Sequence, residues 1–519
     1  MAPTRTRGVS ASPAPTALRR AGVGVPLFSL RSDADHGIGD FASLTVFIDW
    51  AARVGQRIIA LLPLGEASAG EASPYNALSS FALDPIFLRP DAIEELHGDE
   101  VELPPQSDRV DHARVRAHKQ RLFETAFDRF RRLPKSAPRR RRCQRFRHSR
   151  AQWLDDYSLF RALLEEHGGR WWRDWPEALR DREPPALAQA RSRLSERIAF
   201  FEYLQFVAEE AWQAVRRTAA AHDVWLMGDL PFAPSDNSAD VWANPQLFDS
   251  SRSVGAPPDD FSATGQRWGL PMYHWEAMRR SRWRWFRARA RRMGELYDLF
   301  RVDHVVGLFR TFGFVGDSPA GFDPPDEAAQ IAQGREILGL LLEAARPARL
   351  VAEDLGTIPP FVIDTLVALH IPGYKVLRWQ RKGEGFIDPA EYPQCSIATT
   401  GTHDTDTLVA WWETLSATER ASLAELTEVQ AVPQTLSREL RLTLLAALYR
   451  SPSQYVIPPI QDLFGWCERI NTPATISADN WTYRLPLPIE RFDEEPPIAA
   501  DTAALRASID ASGRLRTIP

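Results

Sequence analysis

Eight short runs of apolar residues recur along the chain, and most of the segments between them have the spacing of helices. The runs lie at residues 23–30, 57–64, 224–231, 298–307, 348–355, 374–379, 396–401 and 455–460. Between the first two runs, apolar residues recur every three or four positions, as in Phe41, Leu44 and Ile48. Eight strands alternating with helices predict an α/β fold of the (β/α)8 barrel type. A doubly wound open sheet is the alternative, but no glycine-rich nucleotide loop follows the first strand.

The alternation is interrupted between residues 66 and about 195. Residues 109–132, 151–166 and 194–221 have helical spacing, so we expect a mainly helical insertion over about 66–195. The basic run at 131–150 is predicted to be a solvated loop, since such a run in a net acidic protein is usually surface. Residues 1–20, rich in Arg, Ser, Ala and Pro, predict a disordered tail. The catalytic barrel is then predicted to span residues 21–519.

Composition narrows the class of protein. The chain has 519 residues, of which 44% are hydrophobic and 25% charged, as in ordinary globular proteins. A net charge of -5 argues against a nucleic-acid binder, and no run approaches the roughly 18 apolar residues of a membrane span. Three scattered cysteines fit a reducing compartment, which predicts the cytoplasm. The oligomeric state does not follow from the sequence, and a monomer is the default expectation.

Charged residues interrupt or close several of the apolar runs. Arg301 and Asp303 lie two apart in a predicted strand, so their side chains share a face. Alone, such a pair is read as a structural ion pair. Asp229, Glu353 and Asp404 close other runs, and the ends of barrel strands are where chemistry occurs. Carboxylates without metal-ligand spacing, in a chain with seventeen tryptophans, suggest acid/base and nucleophilic work on a glycosidic bond.

An ordered set of motifs adds a family resemblance. The chain resembles the 4-α-glucanotransferases of the amylomaltase (disproportionating enzyme) family, within the α-amylase clan. The motifs are Ser73-Pro-Tyr75, Gly228-Asp-Leu-Pro231, Ser238-Ala-Asp-Val-Trp-Ala-Asn-Pro245, Phe261-Ser-Ala-Thr-Gly-Gln-Arg-Trp-Gly269, Arg301-Val-Asp-His304, Ala352-Glu-Asp-Leu-Gly356, Gly401-Thr-His-Asp-Thr-Asp-Thr407 and Asn471-Thr-Pro473. The resemblance implies a hexosyltransferase that moves a segment of an α-1,4-glucan to the 4-hydroxyl of another sugar, with retention.

The resemblance also implies roles for three carboxylates. Asp303 matches the nucleophile that forms a covalent glucosyl intermediate. Glu353 matches the general acid, which later acts as base, and Asp404 matches the carboxylate that holds hydroxyls of the distorted donor sugar. Arg301 would keep the pKa of Asp303 low, whereas Glu353 needs a raised pKa to carry its proton. Retention implies that nucleophile and acid lie about 5–5.5 Å apart.

Further residues in these motifs are expected to bind substrate. Tyr75 and Trp268 match aromatic platforms for glucose rings, and His403 matches a residue that hydrogen-bonds the sugar at the cleavage point. The substrate-binding set as a whole is Tyr75, Asp229, Asp240, Trp268, Arg301, His304, His403 and Asn471. Neither a cofactor nor a metal is expected. The partners predicted are a glucan or malto-oligosaccharide donor and a sugar acceptor, with no nucleic acid and no membrane.

Two segments depart from the family pattern and leave the acceptor preference open. Asp260 replaces a tyrosine in the acceptor-side region at about 232–275, and residues 471–475 read Asn-Thr-Pro-Ala-Thr where the family has Asn-Thr-Pro-Gly-Thr. Hydrolysis of the same bonds by the same machinery therefore stays an alternative to transfer. A non-catalytic glucan-binding protein is a third hypothesis, and it predicts the loss of a carboxylate that this chain retains.

Overall fold

The computed structural model describes residues 18–68, 70–104, 106–257, 265–427, 429, 432–473, 475 and 477–515. Most of the predicted tail, at 1–17, lies outside these ranges, as does Asp260. The strands are β1 (Arg20–Gly24), β2 (Ile58–Ala60), β3 (Trp225–Leu230), β4 (Phe248–Ala256), β5 (Gln266–Tyr273), β6 (Leu299–Val302), β7 (Thr311–Val315), β8 (Ser318–Asp323), β9 (Arg349–Ala352), β10 (Gly373–Val376), β11 (Arg381–Lys382), β12 (Gly385–Phe386), β13 (Ser396–Thr399) and β14 (Tyr455–Val456).

Eight of these strands are parallel and close into a barrel. Their order is β1-β14-β13-β10-β9-β6-β3-β2, and each lies within or next to one of the eight apolar runs. Apolar side chains from several barrel strands form a buried cluster, which includes Ile58, Met227, Leu299, Val351 and Ile397. The prediction of a (β/α)8 barrel is therefore confirmed.

Helices surround the barrel and fill most of its connections. They are α1 (Phe41–Val54), α2 (His112–Arg132), α3 (Pro138–Glu166), α4 (Glu177–Arg180), α5 (Pro184–Arg193), α6 (Ser195–Ala221), α7 (Ala239–Ala243), α8 (Trp275–Arg280), α9 (Arg284–Leu296), α10 (Val306–Phe309), α11 (Glu327–Ala344), α12 (Pro360–Ala368), α13 (Leu408–Thr414), α14 (Ala417–Glu425), α15 (Arg438–Arg450), α16 (Ile460–Phe464) and α17 (Pro496–Ala511). Among the described residues, no helix is both long enough and apolar enough to span a bilayer.

The first helix shows how local sequence sets the element boundaries. The carboxylate of Asp40 accepts a hydrogen bond of 2.7 Å from the backbone N–H of Ser43, which caps the start of α1. Gly55 ends the helix with φ of 92°, a left-handed conformation that suits glycine. The side chains of Leu44, Phe47 and Ile48 are buried against the core.

The basic run at 131–150 is not the solvated loop that the sequence predicts. Most of it belongs to α3, which begins with Pro138 at its first helical position. Arg139 and Arg142 both pair with Glu210, and Arg150 pairs with Glu209 at 3.0 Å. The prediction failed because the acidic partners come from other elements, so the charge of the run is neutralised only in three dimensions.

An antiparallel sheet stands beside the barrel within the region after β3. Its order is β5-β4-β7-β8. Strands β4 and β5 contribute the side chains at 250–253 and 267–271 to one wall of the large cleft described below. The division of the chain into a barrel, a helical insertion and an acceptor-side region stays a prediction.

Candidate active site

The three carboxylates predicted to be catalytic meet in one cleft at the carboxyl ends of the barrel strands. Asp303 directly follows β6 and Glu353 directly follows β9, while Asp404 lies five residues beyond the end of β13. All three line a cleft of about 930 Å³. Because parallel strands point their carboxyl ends to the same face, side chains far apart in sequence share this space.

Arg301, inside β6, connects most of the site. Its Nη2 lies 2.8 Å from Asp303 Oδ1, and its Nη1 lies 3.1 Å from Glu353 Oε1. Asp229 is its cross-strand neighbour on β3 and accepts hydrogen bonds from Nε at 3.0 Å and Nη2 at 2.8 Å. One guanidinium therefore holds three carboxylates in place, and the side chain of Arg301 is only 7% exposed.

Asp303 and Glu353 are held by the same guanidinium, and each carboxyl group shifts the pKa of the other. Burial raises the pKa of Asp303 well above its usual range; Arg301 opposes this shift and the negative charge of Glu353 reinforces it. The pKa of Glu353 is lowered: burial acts against this, but Arg301 and the His304 amide favour the ionised form. Both directions are opposite to the expectations that Arg301 keeps the pKa of Asp303 low and that the pKa of Glu353 is raised.

The residue after the nucleophile candidate supports the acid candidate. The backbone N–H of His304 donates to Glu353 Oε2 at 2.7 Å, and His304 has a φ of 46°, in the left-handed region. Its ring meets Trp268 edge to face with centroids 4.7 Å apart. Burial lowers the pKa of His304 to about 4, so the ring is neutral near pH 7.

Asp404 is held by its chain neighbour His403 and by two residues of the segment that follows α16. Asn471 Nδ2 donates to Asp404 Oδ1 at 2.6 Å, and His403 Nε2 lies 3.3 Å from Oδ2. Arg469 Nη2 donates to the backbone carbonyl of Asp404 at 2.8 Å, which fixes the loop. Although burial opposes ionisation, His403, Asn471 and Arg301 lower the pKa of Asp404. This carboxylate is therefore ionised and ready to accept hydrogen bonds from hydroxyls.

Aromatic rings line the cleft beside these carboxylates. Tyr75 stacks on His403 with centroids 5.4 Å apart, and Trp481 lies within 6 Å of both rings, at 5.9 and 5.8 Å. The Tyr75 hydroxyl donates to Asp229 Oδ2 at 2.7 Å and accepts from Arg301 Nη2 at 2.8 Å. Half-buried rings in a polar cleft are the surfaces on which sugar rings stack.

The structure divides the predicted binding residues into three groups. Tyr75, Trp268, His304, His403 and Asn471 line the cleft with the three carboxylates. Asp229 and Arg301 lie beneath it and brace the residues above. The third group is a single residue, Asp240.

Asp240 is not brought to the cleft. Its Oδ1 accepts a hydrogen bond of 2.7 Å from Trp285 Nε1, and its Oδ2 accepts one of 2.7 Å from the Ser80 N–H. The residue is 5% exposed. The expectation that it binds substrate finds no support in these surroundings, which assign it a role in anchoring α7.

Three further residues at the cleft were not singled out by the sequence. Trp481 lines it, Arg469 fixes the Asp404 loop, and Trp171 stands at its rim. Trp481 lies eight residues beyond the Asn471-Thr-Pro473 motif, and this proximity was the only signal in the sequence. Among the described residues, no group of three or more His, Cys, Asp or Glu side chains could hold a metal ion.

Comparison with known proteins agrees with this geometry. The family model described as 4-alpha-glucanotransferase matches residues 25–489. The chain is 34% identical to a 4-alpha-glucanotransferase of Chlamydia pneumoniae over 488 residues, which covers 89% of this chain and 91% of the relative. It is 33% identical to one of Thermus thermophilus, with coverage of 90% and 94%. The solved structure of amylomaltase from Streptococcus agalactiae in complex with acarbose matches with a TM-score of 0.83 at 26% identity, covering 96% of this chain and 99% of that one.

Proposed function

Because the chain belongs to the 4-alpha-glucanotransferase family, we propose that Asp303, Glu353 and Asp404 carry out its transfer reaction by a retaining double displacement. The observation that supports these roles best is the pairing of Asp303 and Glu353 with adjacent nitrogens of Arg301. Two carboxyl groups held this closely at one face of a cleft suit a nucleophile and a proton donor on the same glycosidic bond.

In the first step, Asp303 attacks the anomeric carbon and Glu353 protonates the departing oxygen. A new ester bond to the sugar forms while the glycosidic bond breaks, and the shortened glucan leaves with the proton of Glu353. This step needs the proton on Glu353 and a negative charge on Asp303. Because the pKa of Asp303 is raised and that of Glu353 is lowered in the protein alone, substrate binding must reverse these two shifts before this step.

In the second step, Glu353 removes a proton from the 4-hydroxyl of an acceptor sugar. The acceptor oxygen attacks the anomeric carbon, the ester to Asp303 breaks, and the α-linkage is restored. Asp404, kept ionised by His403 and Asn471, holds hydroxyls of the donor ring during both steps. Tyr75, Trp268 and Trp481 would seat the neighbouring glucose rings.

The substrates proposed are α-1,4-glucans or malto-oligosaccharides as donors and glucose or another glucan as acceptor. The related amylomaltase with bound acarbose supports a glucan-shaped site. We also infer a cytoplasmic location, supported by the free cysteines Cys143, Cys395 and Cys467. Monomeric state and independence from cofactors stay predictions.

Incubation with maltotriose tests the proposed reaction. Transfer produces both shorter sugars and a ladder of longer ones, whereas hydrolysis produces shorter sugars alone. We expect the ladder for the wild-type protein and none for Asp303→Ala, which should still bind glucan. Shorter products alone from the wild type would replace transfer with hydrolysis, and an unchanged ladder from the variant would remove Asp303 from its role.

A further inference from the structure

An exposed tryptophan, Trp171, stands where the catalytic cleft opens into a second cavity. Trp171, Ser250 and Ser251 line both the cleft and an adjoining cavity of about 350 Å³. The second cavity contains none of the catalytic carboxylates, and its other walls include Arg173 and Phe248. A chain too long for the cleft would therefore continue past this tryptophan.

The loop that carries Trp171 contains three tryptophans, of which two are anchors. Trp172 and Trp175 are each 3% exposed, and their indole N–H groups donate to the carbonyls of Asp236 at 2.7 Å and Arg170 at 3.1 Å. Trp171 is 41% exposed. Within the part of the chain that the structure describes, the indole N–H of Trp171 has no hydrogen-bond partner.

The neighbours of Trp171 hold its loop against the cleft. Arg173 lies over the Trp171 ring at 5.4 Å and over Trp172 at 4.2 Å. Its guanidinium pairs with Asp236 Oδ1 at 3.1 Å, and the same oxygen accepts a hydrogen bond of 2.6 Å from the Ser250 hydroxyl. Arg173 thus fixes the Trp171 ring from one side, and part of the ring remains exposed. Hydroxyl, carboxylate and guanidinium groups lie beside it.

We propose that Trp171 is an outlying binding platform for a glucose ring of a long α-1,4-glucan. The flat indole offers the apolar surface on which sugar C–H groups pack, and its free N–H can donate to a hydroxyl. Asp236, Ser250 and Arg173 offer hydrogen-bond partners for the hydroxyl groups at the edge of a sugar ring. The proposal rests on the proposed function, and it assigns Trp171 a role in chain-length preference rather than in bond cleavage.

Initial rates on single-length malto-oligosaccharides, from maltotriose to maltoheptaose and short amylose, test the platform. We expect kcat/KM of the wild type to rise with chain length and the rise to be lost in Trp171→Leu. The ratio of kcat/KM for the longest to the shortest substrate should fall about tenfold, mainly through KM. Trp171→Phe keeps a flat ring and should retain most of the ratio. Because the residue is exposed, the melting temperatures of both variants should stay close to that of the wild type.

Three results would overturn the proposal. They are an unchanged ratio in Trp171→Leu, an equal loss on short and long substrates, and a loss as large in Trp171→Phe as in Trp171→Leu. The second would show that the tryptophan acts only through the shape of its loop. Failure of the proposed function is distinguishable, since it would appear as absent transfer in the wild type before any variant is compared.

Discussion

At the level of single residues, the Asp303–Glu353 pair favours retaining one proton because one arginine cannot neutralise every carboxylate around it. Arg301 contacts Asp229, Asp303 and Glu353, all within 3.1 Å. Three negative charges against one positive charge leave an excess in a buried place, and holding a proton removes part of that excess. The charges around the pair thus favour retention of a proton, and the first step of the proposed reaction requires one.

Glu353→Gln should separate the acid role from the nucleophile role. The variant cannot protonate a poor leaving group, so we expect transfer from ordinary glucans to fall about 10³-fold. The loss of the Glu353 charge also favours ionised Asp303, so attack on an α-maltosyl fluoride, whose leaving group needs no proton, should fall far less. Burst kinetics on the two substrates measure this difference. An equal loss on both would count against the acid assignment.

Asp229→Asn should move the alkaline limb of the pH profile to lower pH. The Asp229 carboxylate helps to raise the pKa of Asp303, so its removal weakens the hold of the pair on its proton. The pair then loses that proton at a lower pH, and kcat/KM should begin to fall about one pH unit earlier. Asp240→Asn, which removes a buried carboxylate outside the cleft, should leave the limb in place. If kcat/KM of Asp229→Asn begins to fall at the same pH as in the wild type, or at a higher pH, this electrostatic account is wrong.

At the level of elements, α3 shows how arginines of a strongly basic sequence attach a helix to its neighbours, with Arg139 buried at the contact. Arg139 is 5% exposed, pairs with Glu95 at 2.7 Å and with Glu210, and lies over the Phe206 ring at 4.6 Å. In each pair the acidic residue lies outside α3, since Glu95 follows β2 and Glu210 belongs to α6. The arginines thus attach α3 to the helices around it.

Arg139→Ala should lower the free energy of unfolding by about 3 kcal/mol, because it leaves Glu95 buried without its cation. Arg145→Ala, an exposed substitution on the same helix, should change it by less than about 0.5 kcal/mol. Denaturant unfolding followed by circular dichroism measures both, and transfer activity in the remaining folded protein should be unaltered. Equal stabilities for the two variants would mean that the buried pairs contribute little.

At the level of the whole molecule, the barrel is closed where its first and last strands meet. β1 pairs with β14, and Arg514 supports this junction from beyond α17. The Arg514 side chain, 1% exposed, donates to five backbone carbonyls, including those of Arg20 at 3.3 Å and Ser453 at 2.8 Å. Segments at opposite ends of the sequence are therefore joined by one side chain.

Arg514→Ala should destabilise the closed barrel by about 3 kcal/mol, since several buried carbonyls lose their donor together. Arg506→Ala on α17 is the matched control, because Arg506 is exposed and should have little effect. Thermal unfolding followed by circular dichroism measures both. A melting temperature for Arg514→Ala equal to that of the control would show that strand pairing alone closes the barrel.

Much of this architecture follows from local sequence, and the exceptions have a common cause. The eight strands and the positions of Asp303 and Glu353 were predictable, because an apolar run and the charge that ends it are adjacent in the chain. The resemblance added the motif residues around them. The helical state of 138–150, the distance of Asp240 from the cleft and the place of Trp171 were not predictable. Each depends on which distant side chains come near, and a linear pattern does not contain that.

The shared proton of Asp303 and Glu353 has a consequence for the reaction as a whole. In the proposed reaction, the departing chain takes a proton from Glu353, and the incoming hydroxyl returns one to the same carboxyl group. After one complete transfer, the protein therefore holds the same number of protons as before. Turnover can proceed without exchange with buffer, and its speed should be independent of buffer concentration at constant pH.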